Sequence, residues 1–136
     1  MKKLLGVIAG IVVAFVLVAG FDYLGSLLFS AGSIDLADAD ALAAYIADMP
    51  LAAKLIVVTG WSIAPLAGAW LCLRIADWAP GGWIVTAAFL VAGLFNQLAL
   101  PHPLWMQVGA VVLPLLGGWL AQRSHSKPYP GEPLLG

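Results

Sequence analysis

Three polar residues lie in or beside long apolar runs, where ionisable groups are costly and mark either a site or a paired structural contact: Asp22, Asn96 and His102. Asp22 is the acidic residue of the first run. Asn96 stands near the end of the third, with Gln97 beside it, and His102 sits between two prolines in the stretch "ALPHPLW". A carboxylate near an imidazole raises its pKa and orients its tautomer, an arrangement suited to proton exchange, ligand capture or pH sensing. At about 1.5 Å per residue, Asp22 lies roughly 27 Å along a helix that starts at Leu4. That places it near the same membrane face as His102. The three residues are therefore expected to converge as an outer polar cluster. The competing reading leaves Asp22 among headgroups, Asn96 bonded to a neighbouring helix and His102 exposed.

Other chemistry is sparse. "GWSIA" at Gly60 resembles a nucleophile elbow, but Ala64 replaces its last glycine and a membrane helix surrounds it rather than a strand and a turn. Ser26, Asp22 and His102 are nominally near one another, yet a triad needs hydrogen-bond geometry that spacing does not supply. No metal cluster is expected, because His102 and His125 fall on opposite faces and Cys72 lies in an apolar run near the inner one. Phosphate loops and dinucleotide fingerprints are missing, so no cofactor and no enzymatic activity are expected. Thr59 and Ser62 near the middle of the second run are expected to bond back to their own helix carbonyls.

These residues must be held by membrane-spanning helices. The 136 residues are 62% hydrophobic and 10% charged, with a mean hydropathy of +1.00, which excludes an ordinary soluble domain. A net charge of -1 without a basic cluster excludes a nucleic-acid partner. Four segments are long enough to cross a hydrocarbon core, for which roughly 20 helical residues are needed: about 4–29, 51–73, 82–100 and 104–121. The first also resembles a secretory signal, with Lys2 and Lys3 ahead of it, but its apolar run is longer than such signals use, and a retained span is expected. Lys2, Lys3, Arg74, Arg123 and Lys127 fall on one side and Lys54 alone on the other. The rule that basic residues stay inside then gives cytoplasmic N- and C-termini.

The expected fold is an all-α, up-down bundle of four transmembrane helices occupying residues 1–122, with a flexible cytoplasmic tail over 123–136. In the outer loop, "SIDLADADALAAYIADMP" carries Leu42, Tyr45, Ile46 and Met49 at helical spacing behind Ser33 and several aspartates. It reads as an interfacial helix over about 35–49, with Asp38 and Asp40 complementing its N-terminal dipole.

The chain also resembles itself. "GWSIAPLAGAWL" from Gly60 aligns without gaps to "GAVVLPLLGGWL" from Gly109, and "LVAGFDYL" from Leu17 has a weaker echo in "LVAGLFNQL" from Leu90. Two helical hairpins related by a parallel repeat are expected, with Asn96 equivalent to Asp22. Pro65 and Pro114 should then bend the second and fourth spans at equivalent depths. Gly6, Gly10, Gly60, Ala64, Gly68, Gly109 and Gly117 are the small residues that let backbones approach, within one chain or between copies.

The basic start, the acidic residue three before Gly25, the "GWSIAPLAGAW" span and "PHPLW" together resemble a family of small bacterial four-helix integral membrane proteins with an outer PHPLW turn. The resemblance extends to about Gln122. The family pattern has Glu at the position of Asp22 and His at that of Ser26. It implies topology rather than an activity. The function expected from all of this is non-enzymatic: a self-associating protein or an accessory subunit of a larger membrane complex. The alternative is a small dimeric transporter or channel with an outer polar site.

Overall fold

The computed structural model describes residues 1–29, 35 and 37–125. Five helices and no strand are found among them: α1 (Lys2–Leu28), α2 (Ala39–Asp48), α3 (Leu51–Ala76), α4 (Ala79–Ala99) and α5 (Leu104–Ser124). All but α2 are long and apolar enough to cross a membrane. The chain is an all-α, multi-pass membrane protein built as a helical bundle.

Helix ends follow local chemistry and correct several expected boundaries. α2 begins at Ala39, not near residue 35, because the Asp38 carboxylate caps it by accepting from the N–H groups of Asp40 and Ala41 at 3.0 and 3.3 Å. Asp35 lies ahead of the helix, where its carboxylate accepts from the Ala37 N–H at 2.9 Å; Ser33 is outside the described residues. α3 runs three residues past the expected 73 and stops at Asp77. There the backbone turns left-handed, with φ 48°, and the N–H closes on the Leu73 carbonyl at 3.0 Å. α4 starts at Ala79 rather than 82, with Pro80 in its first turn, where a missing N–H costs nothing. α5 continues through Arg123 and Ser124, so the expected tail cannot begin at 123; beyond His125 the expected tail lies outside the described residues. Both α3 and α5 remain helical through Pro65 and Pro114.

The spans pack through small residues, as they must where lipid offers no hydrophobic drive between helices. On α1, Gly6, Gly10 and Ala14 recur every fourth residue; on α3, Gly60, Ala64, Gly68 and Cys72 do the same, and the two rows face each other. A Cβ on Gly10 would stand 2.5 Å from the Gly68 carbonyl oxygen, and one on Gly6 would stand 2.9 Å from the Ala76 Cβ. Gly60 accommodates the Phe21 ring in the same way, and Ala64 is fully buried beside Ala14 and Phe89. Gly117 of α5 seats on the Ser62 carbonyl and Pro65 of α3, and Gly118 on Thr86 of α4. Gly109 is the exception to the expected set: a Cβ there would meet only Leu113 at 3.5 Å and Val58 at 4.0 Å, ordinary contact distances.

α3 touches all three other spans, whereas α1 and α5 share no face. The two hairpins, α1 with α3 and α4 with α5, therefore lie side by side, and like-directed helices neighbour each other: α3 beside α5, α1 beside α4. The repeat extends past the twelve aligned residues. Forty-nine positions apart, Arg74 lies over the Trp70 ring at 4.9 Å and Arg123 over the Trp119 ring at 5.3 Å. At this end of the bundle Gln122 Nε2 donates to the Ala79 carbonyl at 2.7 Å. The buried His125 ring meets the Asp77 carboxylate at 3.1 Å, joining the end of α5 to the cap of α3.

Candidate functional site

The opposite end, where α4 turns into α5 at His102, contains a cavity of about 450 Å³. All five helices contribute. Phe15, Val18, Asp22 and Ser26 line it from α1 at spacings of three, four and four residues, which is one helical face. From α4 and its C-cap, Phe89, Gly93, Asn96 and Leu100 do so at spacings of four, three and four. α2 supplies Leu42, Tyr45 and Ile46, and Met49 just past its end adds to them, so the apolar stripe expected from the sequence faces the cavity. Lys54 and Trp61 of α3, and Met106 and Ala110 of α5, complete the wall. The size and the mostly apolar lining with a few convergent polar groups are those of a small-molecule site, which spans roughly 300–1,000 Å³.

Asp22, Asn96 and His102 all line this one cavity. They do not act on one another in the way expected. His102 Nδ1 lies 3.0 Å from the Leu100 carbonyl and its ring meets Trp61 edge-on at 5.8 Å. A carbonyl only accepts, so Nδ1 carries the proton in the neutral ring and Nε2 is left as an acceptor. The tautomer is fixed by the backbone of its own turn rather than by Asp22. Burial lowers the ring's pKa below the ordinary 6.5, and the Leu100 hydrogen bond opposes this in part. The expected rise from a carboxylate neighbour is replaced by a fall.

This depression has a sign that can be measured. Between its folded pKa and 6.5 the folded ring binds fewer protons than the unfolded one, so stability rises with pH across that window and is lost again as the pH falls through it. An NMR titration of the ring in detergent is expected to give a midpoint below 6.5. A midpoint at or above that value would show that a charge partner, not burial, governs the residue.

Thr59 and Ser62 do not line the cavity. The Thr59 hydroxyl donates to its own helix at Leu55, 2.7 Å away, as expected. Among the described residues no three His, Cys, Asp or Glu side chains gather where they could hold a metal. Several polar and aromatic lining residues were not singled out as site members from the sequence. Lys54 was visible as the lone cation on its side, and Trp61 stands about two helical turns beyond it. Gln97 was visible only as a neighbour of Asn96; its Oε1 is buried without a hydrogen-bond partner. The one-face periodicity of α1 would also have found Ser26, whose hydroxyl donates to the Tyr23 carbonyl at 2.7 Å. Comparisons with protein families, curated proteins and solved structures return no match.

Proposed function

We propose that the chain is a non-enzymatic component of a larger assembly in the bacterial inner membrane, with both termini cytoplasmic, and that it captures a small molecule in the cavity at its outward end. One observation carries this reading: the cavity is blind. It ends where Phe15 meets Phe89, with ring centroids 5.9 Å apart, above the buried Ala14 and Ala64. Beyond that floor the bundle is closed by main chain against main chain at Gly10 and Gly68. A closed inner half supports holding rather than passage.

The orientation rests on charge. Lys2, Lys3, Arg74 and Arg123 gather at the Asp77 end, with Lys3 over the Trp78 ring at 5.1 Å, while Lys54 stands at the other. Transport through one chain would need a polar route by way of Thr59 and Ser62, and neither reaches the cavity. Most of the glycine rows that could pair two copies are consumed inside this chain, which favours a partner seated on broad apolar faces such as Ile8, Val12 and Val16 of α1. Purification in mild detergent is expected to bring down a second chain in fixed stoichiometry. A lone dimer that moves a solute across a vesicle membrane would overturn the accessory reading.

A further inference from the structure

We infer that the cavity takes a zwitterionic amphiphile, with an apolar chain along its floor and a head group carrying both an ammonium and an anionic oxygen at its rim. The inference rests on the reading of the cavity as a capture site and names what is captured. Asp22 from α1 and Lys54 from α3 bring opposite charges to one cavity, yet they form no ion pair. Lys54 spends one ammonium proton on the Ala47 carbonyl at 3.1 Å and keeps the others. Opposite charges held apart in one cavity are complementary to a molecule bearing the reverse pair, each end of which gains a charge-assisted hydrogen bond.

The neutral groups favour the ammonium as donor. His102 Nε2 is an acceptor because Nδ1 is committed to Leu100. Gln97 Oε1 is an orphaned buried acceptor, which a donor would relieve. The entrance indicates a ligand that arrives through the membrane. Gly93 lies one turn above Phe89 on the α4 face turned toward α1, and a Cβ there would meet nothing within 4 Å. The seam between these two spans is therefore shut at Phe15 and Phe89 and open at Gly93, so the opening is flanked by lipid-facing helix surfaces that admit an alkyl chain.

Native mass spectrometry of the full chain in mild detergent tests this, with lysophosphatidylethanolamine and lysophosphatidylglycerol of equal chain length as probes. The ethanolamine lipid is expected to be retained about tenfold more tightly, the ratio that one charge-assisted hydrogen bond supplies. Asp22→Asn should abolish that preference. Gly93→Leu, whose Cβ would meet nothing within 4 Å, should weaken both lipids while leaving the thermal midpoint unchanged. Phosphoethanolamine without a chain separates a membrane lipid from a free zwitterion: failure to compete supports the amphiphile, and competition equal to the acylated form overturns it. Equal retention of the two lipids, indifference to Asp22→Asn and Gly93→Leu, or a co-purified protein segment filling the cavity would each overturn the inference. The measurement uses the chain alone. Its failure is therefore distinguishable from failure to find the partner subunit.

Discussion

Gly68→Val is expected to break the contact between α1 and α3 and lower the stability of the bundle by about 1–3 kcal/mol, the ordinary cost of overpacking, or more. The reason lies in what the new side chain would meet. A Cβ at position 68 runs into the Gly10 carbonyl oxygen, and its next neighbour is the Ala14 Cβ at 2.9 Å. Neither is the end of a flexible chain that can swing aside. The helices must separate along their length, and lipid does not drive them back together as water would. Gly20→Val is the control, because a Cβ there meets nothing within 4 Å. Thermal or SDS unfolding in mild detergent should show a large fall for the first variant and none for the second. Equal midpoints would mean that α1 and α3 do not meet at Gly10 and Gly68.

Gly117→Val is expected to be nearly as damaging, through a different pair of helices. Its Cβ would stand 2.5 Å from the Ser62 carbonyl oxygen, 3.2 Å from the Leu66 nitrogen and 3.3 Å from the Pro65 ring. Pro65 stiffens that part of α3, so the surface pushed by valine is main chain and a locked ring. α3 is clamped between α1 and α5, and relief on one side means pressing on the other. The double variant Gly68→Val, Gly117→Val should therefore lose more than the sum of the single losses, the departure from additivity found for sites coupled through shared structure. Strict additivity in the same unfolding assay would show that α3 does not transmit the strain.

Much of the fold was legible because membrane helices announce themselves by length and composition. The apolar stripe Leu42, Tyr45, Ile46 and Met49 reached the cavity as its period required, and the repeat located both prolines and the Gly68 and Gly117 contacts. Helix ends were less legible. The stop at Asp77 depends on a left-handed residue that hydropathy does not register, and the end of α5 depends on His125 reaching Asp77 across 48 positions. The site was half legible for a similar reason. Asp22, Asn96 and His102 stand out because polar residues in apolar runs are conspicuous. What each one touches is a three-dimensional matter: His102 pairs with the carbonyl two residues before it, and Lys54 joins the cavity through the packing of α3.

The paired arginines also measure depth. From Pro65 to Arg74, and again from Pro114 to Arg123, is nine residues, or roughly 13.5 Å of helix, close to half of a hydrocarbon core about 30 Å thick. Setting the two arginine–tryptophan pairs at the membrane interface, where such side chains are at home, would put the two prolines at the midplane of the bilayer. The lining residues that α3 and α5 contribute, from Ala53 to Trp61 and Met106 to Ala110, all precede those prolines. On that placement the bundle is hollow through one leaflet and closed through the other. Close-packed interiors resist compression, whereas a void does not, so lateral pressure in the leaflet around α2 changes the volume available to an occupant while the same pressure in the opposite leaflet meets an incompressible wall.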